Sequence, residues 1–369
     1  MNIRDIEATP FRIPFVRPLA VGGSSIEARV GVLIQLRSDD GRVGLGEAAP
    51  HPLAGDVALG NMMQSIAEAQ EALYLLDPTE LDVVWERLET QPPPVRAGME
   101  AACWDLAAQS AGVPLAEMLA STARRRVPVN AIIDMLDPGD AASAAHELVS
   151  QGFHCLKLKV GRDVRRDVAR LAAVRAAAGP QVRLRIDANG VWTLEEAVEF
   201  LPQLTACDLE YIEQPVASMA DLAQVRRAVD VPIAADECVA DAAAVRQLAA
   251  LGAADVVVVK PALLGLHAAV SVVRAAQACG MGVVVTSALD TSIGIAAALH
   301  LAATLPDPVL PCGLATASLL AGDLTREPLT PRGGWLEVPR GPGLGVQLDT
   351  ESLRQWGGKE MQVASRYIS

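Results

Sequence analysis

Five charged residues close five successive apolar runs. They are Lys159 in CLKLKV, Asp187 in VRLRIDAN, Glu213 in LEYIEQP, Asp236 in VPIAADE and Lys260 in DVVVVKP. Neighbouring members are 28, 26, 23 and 24 residues apart, about one strand–helix–strand repeat each time. A charge at the end of a buried parallel strand is costly unless it is paired or holds a metal. In a βα barrel the strand ends meet at one mouth, where active sites are built. The pattern predicts three carboxylates around a cation, with a lysine to either side.

The rest of the chain fits that reading. From Val127 onward VPVNAII, HCLKLKV, VRLRIDA, LEYIE, VPIAADE, DVVVVK, MGVVVTS and VLPCGLA give eight candidate strands with helical stretches between them. Capping signals mark two helix starts, Thr193 with Glu196 and Ser218 with Asp221. Alternating β and α elements without a Gly-rich phosphate loop favour a closed barrel over an open nucleotide-binding sheet. The first part differs. Residues 2–13 and 30–37 alternate like strands, and SDDGRVG after the second is a hairpin turn signal. Between them RPLAVGGSSIEAR reads as a Gly/Ser-rich loop, either a lid carrying Gly22 and Gly23 or plain disorder. Helical patterns run from Asp56 to Thr122. The segment from Met281 to Ala303 is long and apolar, but Asp290 and His300 interrupt it, so a buried strand and helix explain it better than a membrane span.

A core of the required size is affordable, because 51% of the residues are apolar; aromatics are only 3%, so it must be built of Ala, Val and Leu. A formal net charge of −13 with no basic stripe argues against nucleic acid as a partner. Cys103, Cys155, Cys207, Cys238, Cys279 and Cys312 are scattered with no CxxC pair, which fits reduced, buried thiols in a cytoplasmic protein. The N-terminal MNIRDIEATPFRIPF has no signal-like apolar segment.

Side chains alternate along a strand, so Cys155, Lys157 and Lys159 share one face. Two lysines pointing into a barrel are hard to justify as structure, against the plainer reading of a solvated surface strand. Lys159 is the candidate base, with Lys157 beside it. Asp187, Glu213 and Asp236 offer hard oxygen ligands that suit Mg²⁺, with Mn²⁺ the alternative ion. Glu237 points to the other side and reads as a lysine partner. Lys260 would face Lys159 across the pocket. Two lysines flanking a cation-held carboxylate fit removal of a proton alpha to that carboxylate, since a divalent cation stabilises the resulting enediolate.

These residues resemble a known family. KLK (157–159), DAN (187–189), EQP (213–215), ADE (235–237) and the Lys260 strand end are similar to the enolase superfamily, muconate lactonizing enzyme subgroup. The resemblance implies a modified TIM barrel, (β/α)₇β, over residues 126–325, with an α+β capping domain from 1–125 to which 326–369 returns. It implies Mg²⁺ on Asp187, Glu213 and Asp236, substrate between Lys159 and Lys260, Lys157 as an electrostatic neighbour, and a homo-oligomer acting on a small-molecule carboxylate. Thr286-Ser287 at the seventh strand end argues against the histidine-base mandelate racemase branch. TSALDTSIGIAAALHLAATLP and CGLATASLLAGDL look most like o-succinylbenzoate synthases, lyases of menaquinone synthesis, and lack the acidic D-x-D of dipeptide epimerases. There Lys159 would serve both the proton abstraction and the departure of the beta hydroxyl. Ser287 and Asp290 are candidate contacts for the succinyl carboxylate, beside the reading of a plain strand–helix connection. Arg17 and Arg29 are candidate carboxylate contacts or surface residues. An N-succinylamino acid racemase or a muconate-type cycloisomerase is the alternative within the subgroup. A Schiff-base aldolase or a non-catalytic ligand-binding barrel is the alternative outside it.

Overall fold

The computed structural model describes residues 1–21, 24–134, 136–161, 163–358 and 361–362. Strands β1 (Ile3–Val21), β2 (Ser24–Ser38) and β3 (Val43–Ala48) form an antiparallel meander. Gly41, at φ +87°, makes the β2–β3 turn that SDDGRVG signals. Helices α1 (Gly55–Leu73), α2 (Leu81–Leu88), α3 (Pro93–Ala111) and α4 (Leu115–Leu119) follow. Helix α3 lies so close to β3 that a Cβ at Gly46 would run into the Gly98 carbonyl oxygen, and one at Gly44 into that of Ala102. Gly46→Ala is expected to cost about 1–3 kcal/mol through overpacking, read as a lower denaturation midpoint.

Residues 17–21 and 24–29 are extended strand and not loop. After a register shift between Pro14 and Leu19, β1 and β2 pair again from Leu19↔Ile26 to Val21↔Ser24. Gly and Ser composition suggested a break, but a two-stranded ribbon needs only extended backbone, and Pro18, which has no N–H to donate, falls within the interruption. Gly22 and Gly23, and the lid assigned to them, lie outside the described residues.

After β4 (Arg126–Pro128) the βα units run β5 (Ala131–Ile133), α5 (Pro138–Ser150), β6 (Cys155–Lys159), α6 (Val164–Ala178), β7 (Arg183–Asp187), α7 (Leu194–Thr205), β8 (Leu209–Glu213), α8 (Met219–Ala228), β9 (Ile233–Ala235), α9 (Ala242–Leu251), β10 (Val256–Val259), α10 (Pro261–Leu264), α11 (Leu266–Ala278), β11 (Gly282–Val285) and α12 (Ser292–Ala302). Strands β5 to β11 form one parallel sheet in sequence order. The expected eighth strand, VLPCGLA, is no regular strand; it closes the ring through a few hydrogen bonds. Cys312 N donates to Pro128 O (2.7 Å) and Asn130 N to Cys312 O (3.0 Å), while Gly313 N donates to Val285 O (3.0 Å). The fold is a modified TIM barrel beside an antiparallel sheet domain. Thr193 and Glu196 form a reciprocal capping box. Ser218 caps α8 by accepting from Asp221 N, but Asp221 turns its carboxylate to the Ser218 hydroxyl instead of the backbone.

Strand β12 (Trp335–Glu337) pairs with β4, helix α13 (Thr350–Trp356) follows, and β13 (Met361–Gln362) pairs with β1. The barrel's inward face is not only aliphatic. Fully buried Arg185 lies 4.4 Å from the Tyr211 ring and donates to Glu210 (2.6 Å), Asn130 Oδ1 (3.2 Å) and Pro311 O (2.6 Å), tying β7 to the closing segment. All six cysteines are free, as expected of reduced thiols; Cys103, Cys155 and Cys312 are buried, Cys207 and Cys238 are half-buried, and Cys279 is exposed. No helix among the described residues is long and apolar enough to cross a membrane.

Candidate active site

Strand register brings the five charged residues to one rim. Lys159 pairs across the sheet with Asp187, and Asp187 with Glu213. Asp236 follows the last residue of β9, and Lys260 follows β10 as the residue preceding α10. The closing segment makes an eighth stave, so β6 and β10 stand four staves apart in a ring of eight. Lys159 and Lys260 therefore rise on opposite sides, with the three carboxylates on the arc between them.

Each carboxylate is met by an ammonium. Lys157 Nζ lies 2.6 Å from Glu213 Oε1 and 2.9 Å from Asp187 Oδ2. Lys159 Nζ donates to Asp187 Oδ2 at 2.6 Å, and Lys260 Nζ to Asp236 Oδ2 at 2.5 Å. Burial lowers the Lys157 pKa, but Asp187 and Glu213 outweigh it and hold the value well above the usual one. Burial pushes Asp187 up, yet Lys157 and Lys159 carry it below the carboxylate range. Glu213 is raised to about 7 by burial and by Asp187, against the pull of Lys157. With the ammonium groups interposed, no three acidic, histidine or cysteine side chains among the described residues converge as a ready metal cage. The donor set nevertheless suits a hard divalent cation: all oxygens, from three adjacent strands. Glu213 Oε2 is buried without a hydrogen-bond partner among the described residues, which leaves an acceptor for such an ion.

Asn189, inside the quoted DAN motif but given no role from sequence, links the two flanks of this rim. Its Oδ1 accepts from Lys159 Nζ (2.8 Å) and its Nδ2 donates to Glu237 Oε1 (2.9 Å). Glu237 is thus bonded to an amide instead of the lysine partner its position suggested. Asn189 reaches both because its backbone is left-handed, φ +49°, with its N–H on Asp187 Oδ1 (3.0 Å). Gln214 of EQP accepts from Asp236 N (2.7 Å) and fixes that strand end.

Above the rim opens a cavity of about 520 Å³. Lys157, Lys159, Lys260, Asp187, Asp236 and Ser287 line it, together with Leu19 from the ribbon and Arg96 from α3. Arg96 carries no strand-end signal and was not legible as a site residue. Ser287 keeps its place at the wall, but its hydroxyl is engaged by Thr316 Oγ1 (2.7 Å). Asp290 does not face the cavity. It is 1% exposed, accepts from Ala288 N (2.9 Å) and pairs with Arg29 Nη2 (3.4 Å). Arg29 is likewise buried instead of at the surface, is not among the residues lining the cavity, and donates to Pro50 O (2.5 Å). Arg17 is exposed.

Beside this pair, Glu47 of β3 crosses to the start of α12. It accepts from Thr291 Oγ1 (2.6 Å), Thr291 N and Gly294 N (3.2 Å), so the N-terminal sheet fixes the loop that carries Ser287. Burial and Asp290 push Glu47 up to about 8, against Arg29 and the Thr291 donors. A folded pKa above the unfolded 4.5 contributes stability that is complete below that value and lost as pH rises through 8. Melting temperature should therefore fall between pH 5 and pH 9, and Glu47→Gln, measured by thermal denaturation across that range, should flatten the fall.

Family models match both parts of the chain. Residues 5–120 match the mandelate racemase / muconate lactonizing enzyme N-terminal domain, and residues 140–352 match the enolase C-terminal domain-like model. The chain belongs to the mandelate racemase / muconate lactonizing enzyme family of the enolase superfamily. An o-succinylbenzoate synthase of Thermobifida fusca is 46% identical over 221 residues, 59% of this chain and 68% of that one. A hydrophobic dipeptide epimerase of Enterococcus faecalis is 30% identical over 359 residues, 94% of this chain and 99% of that one. A dipeptide epimerase from Enterococcus faecalis, solved with Mg and L-Leu-L-Tyr, superposes with a TM-score of 0.89 at 28% identity over 94% of this chain and all of that one.

Proposed function

We propose that the protein is an Mg²⁺-dependent enzyme that removes a proton alpha to a carboxylate, and that its reaction is dehydration to o-succinylbenzoate. The observation that carries this is the arc of Asp187, Glu213 and Asp236 with an amine at each end, Asp187, Asp236 and both amines lining one cavity and Glu213 buried between them. The Mg complex of a structural neighbour and the synthase relative support it. Asp187, Glu213 and Asp236 would hold the ion, drawing their oxygens away from the three ammonium groups. The ion would supply Lewis-acid stabilisation of negative charge on the substrate carboxylate. Lys159, as the free amine, takes the alpha proton. The electron pair left behind forms the double bond as the beta C–O bond breaks, and the proton on Lys159 leaves with the hydroxyl as water. Lys260, still protonated, faces the anion from the opposite wall, and Lys157 fixes Asp187 and Glu213. The division into 1–125 with 326–369, and 126–325, is proposed alongside as cap and barrel.

Racemisation of an N-succinylamino acid is the second reading, favoured by one fact: both walls carry a lysine, so a proton can leave one face and return on the other. The test is direct. Absorbance should report o-succinylbenzoate formation that requires Mg²⁺ and stops in EDTA, while N-succinylamino acids in deuterated water report alpha exchange. Turnover undiminished by EDTA would overturn the metal-dependent reading; exchange without dehydration would replace the synthase by the racemase.

A further inference from the structure

One cation of the cavity wall has no place in the proton transfer. Arg96, from helix α3, lines the cavity beside Pro93, Leu263 and Leu264. Its fork is only loosely used. Nη2 reaches Leu264 O at 3.3 Å and Nη1 reaches Glu89 O at 3.5 Å, while Nε is buried with no hydrogen-bond partner among the described residues. Glu100 Oε1 is 4.0 Å from Nε, beyond hydrogen-bond range, and Oε2 accepts from His267 N. His51 also lines the cavity, and burial, Lys260 and Arg29 push its pKa down. The three lysines stand at the rim among Asp187, Glu213 and Asp236, where the proposed function places the first carboxylate. Leu264 ends the short helix that starts after Lys260, one turn or about 6 Å further along. That is the length of a short acyl arm. The side after β11 is poorer in charge: the Ser287 hydroxyl is taken by Thr316, and Asp290 and Arg29 are spent on each other.

We propose that Arg96 receives the distal carboxylate of a dicarboxylate substrate whose first carboxylate lies between Lys159 and Lys260, and so determines specificity. This rests on the proposed reading of the site. The two Nη groups hold backbone carbonyls only at 3.3 and 3.5 Å and can turn to a carboxylate, while Glu100 Oε1 stays paired with Nε at 4.0 Å; a partly desolvated pair discriminates against a neutral arm.

The test uses the full chain with Mg²⁺ and two probes of equal length, N-succinylalanine and N-butanoylalanine, which differ in a terminal carboxylate against a methyl. Calorimetry gives Kd, and alpha-deuteration in deuterated water is read separately. The wild type should bind the succinyl probe at least tenfold more tightly. Arg96→Met should erase that preference to below threefold and leave the butanoyl Kd within threefold. Arg96→Lys keeps a charge but loses the fork; it should weaken only the succinyl probe, and it carries the test if Arg96→Met does not fold. Thr286 also lines the cavity, with its hydroxyl buried and without a hydrogen-bond partner among the described residues. No preference in the wild type, a preference unchanged in the Arg96 variants, or one erased by Thr286→Val instead overturns the proposal. A preference without alpha-deuteration upholds the carboxylate receptor and counts against proton abstraction on these compounds.

Discussion

Lys159→Ala should lose turnover by about 10²–10⁴-fold, the usual contribution of a positioned general acid–base group, with KM little changed. The amine stands at the cavity with about a quarter of its side chain exposed, held by Asp187 and Asn189. No neighbour can replace it. Lys157 is a tenth exposed and tied to Glu213 and Asp187, and Lys260 stands on the far wall. Because Lys159 is partly solvated, its removal should leave the fold intact, and circular dichroism should match the wild type. Lys260→Ala separates the two reactions. A synthase keeps dehydration, slowed only by the loss of a charge facing the anion, whereas a racemase keeps alpha exchange of one enantiomer only and loses interconversion. Near-normal dehydration by Lys159→Ala would remove the base from the mechanism.

The strand-end charges were legible because physics makes them conspicuous. A parallel strand covered on both faces is an apolar run, and a lysine or carboxylate closing such a run stands out. The spacing of 23 to 28 residues then set the staves of the barrel in order. Less visible was whatever depends on distant partners. Arg29 and Asp290 are 261 positions apart, and neither carries a local sign that each neutralises the other in a buried pair. Arg185 sits in what reads as an apolar run, yet it points inward because Tyr211, Glu210 and the carbonyl of Pro311 surround it. The closing segment around Cys312 makes too few ladder bonds for regular strand, and Arg96 reaches the cavity from a helix whose sequence gives no hint of what it faces. Asn189 was in plain sight within DAN, but its two bonds require a left-handed backbone that only the fold reveals.

Asp187→Asn should be the most damaging conservative change in the barrel. Asp187 is 1% exposed, and one of its oxygens receives both Lys157 and Lys159. An amide of the same shape removes the negative charge and can turn N–H donors toward two ammonium groups. Removing one partner of a buried ion pair costs about 3–5 kcal/mol, because the remaining charge is left uncompensated. Chemical denaturation without added metal should read that loss. The pH dependence has a definite sign. The folded Asp187 pKa lies below its unfolded 3.8, so its contribution is present above that value and is lost as pH falls through the folded one. The variant should lose less in acid than the wild type. In Asp187→Asn, Lys157 and Lys159 face Glu213 alone; adding Lys157→Met restores a one-to-one charge balance, so the double variant should recover part of the stability, a coupling that a double-mutant cycle measures. Activity should not return with it, since the ion has still lost a ligand. Recovery of turnover together with stability would mean that Asp187 serves only to neutralise lysines, and the metal-dependent reading would then have to be abandoned.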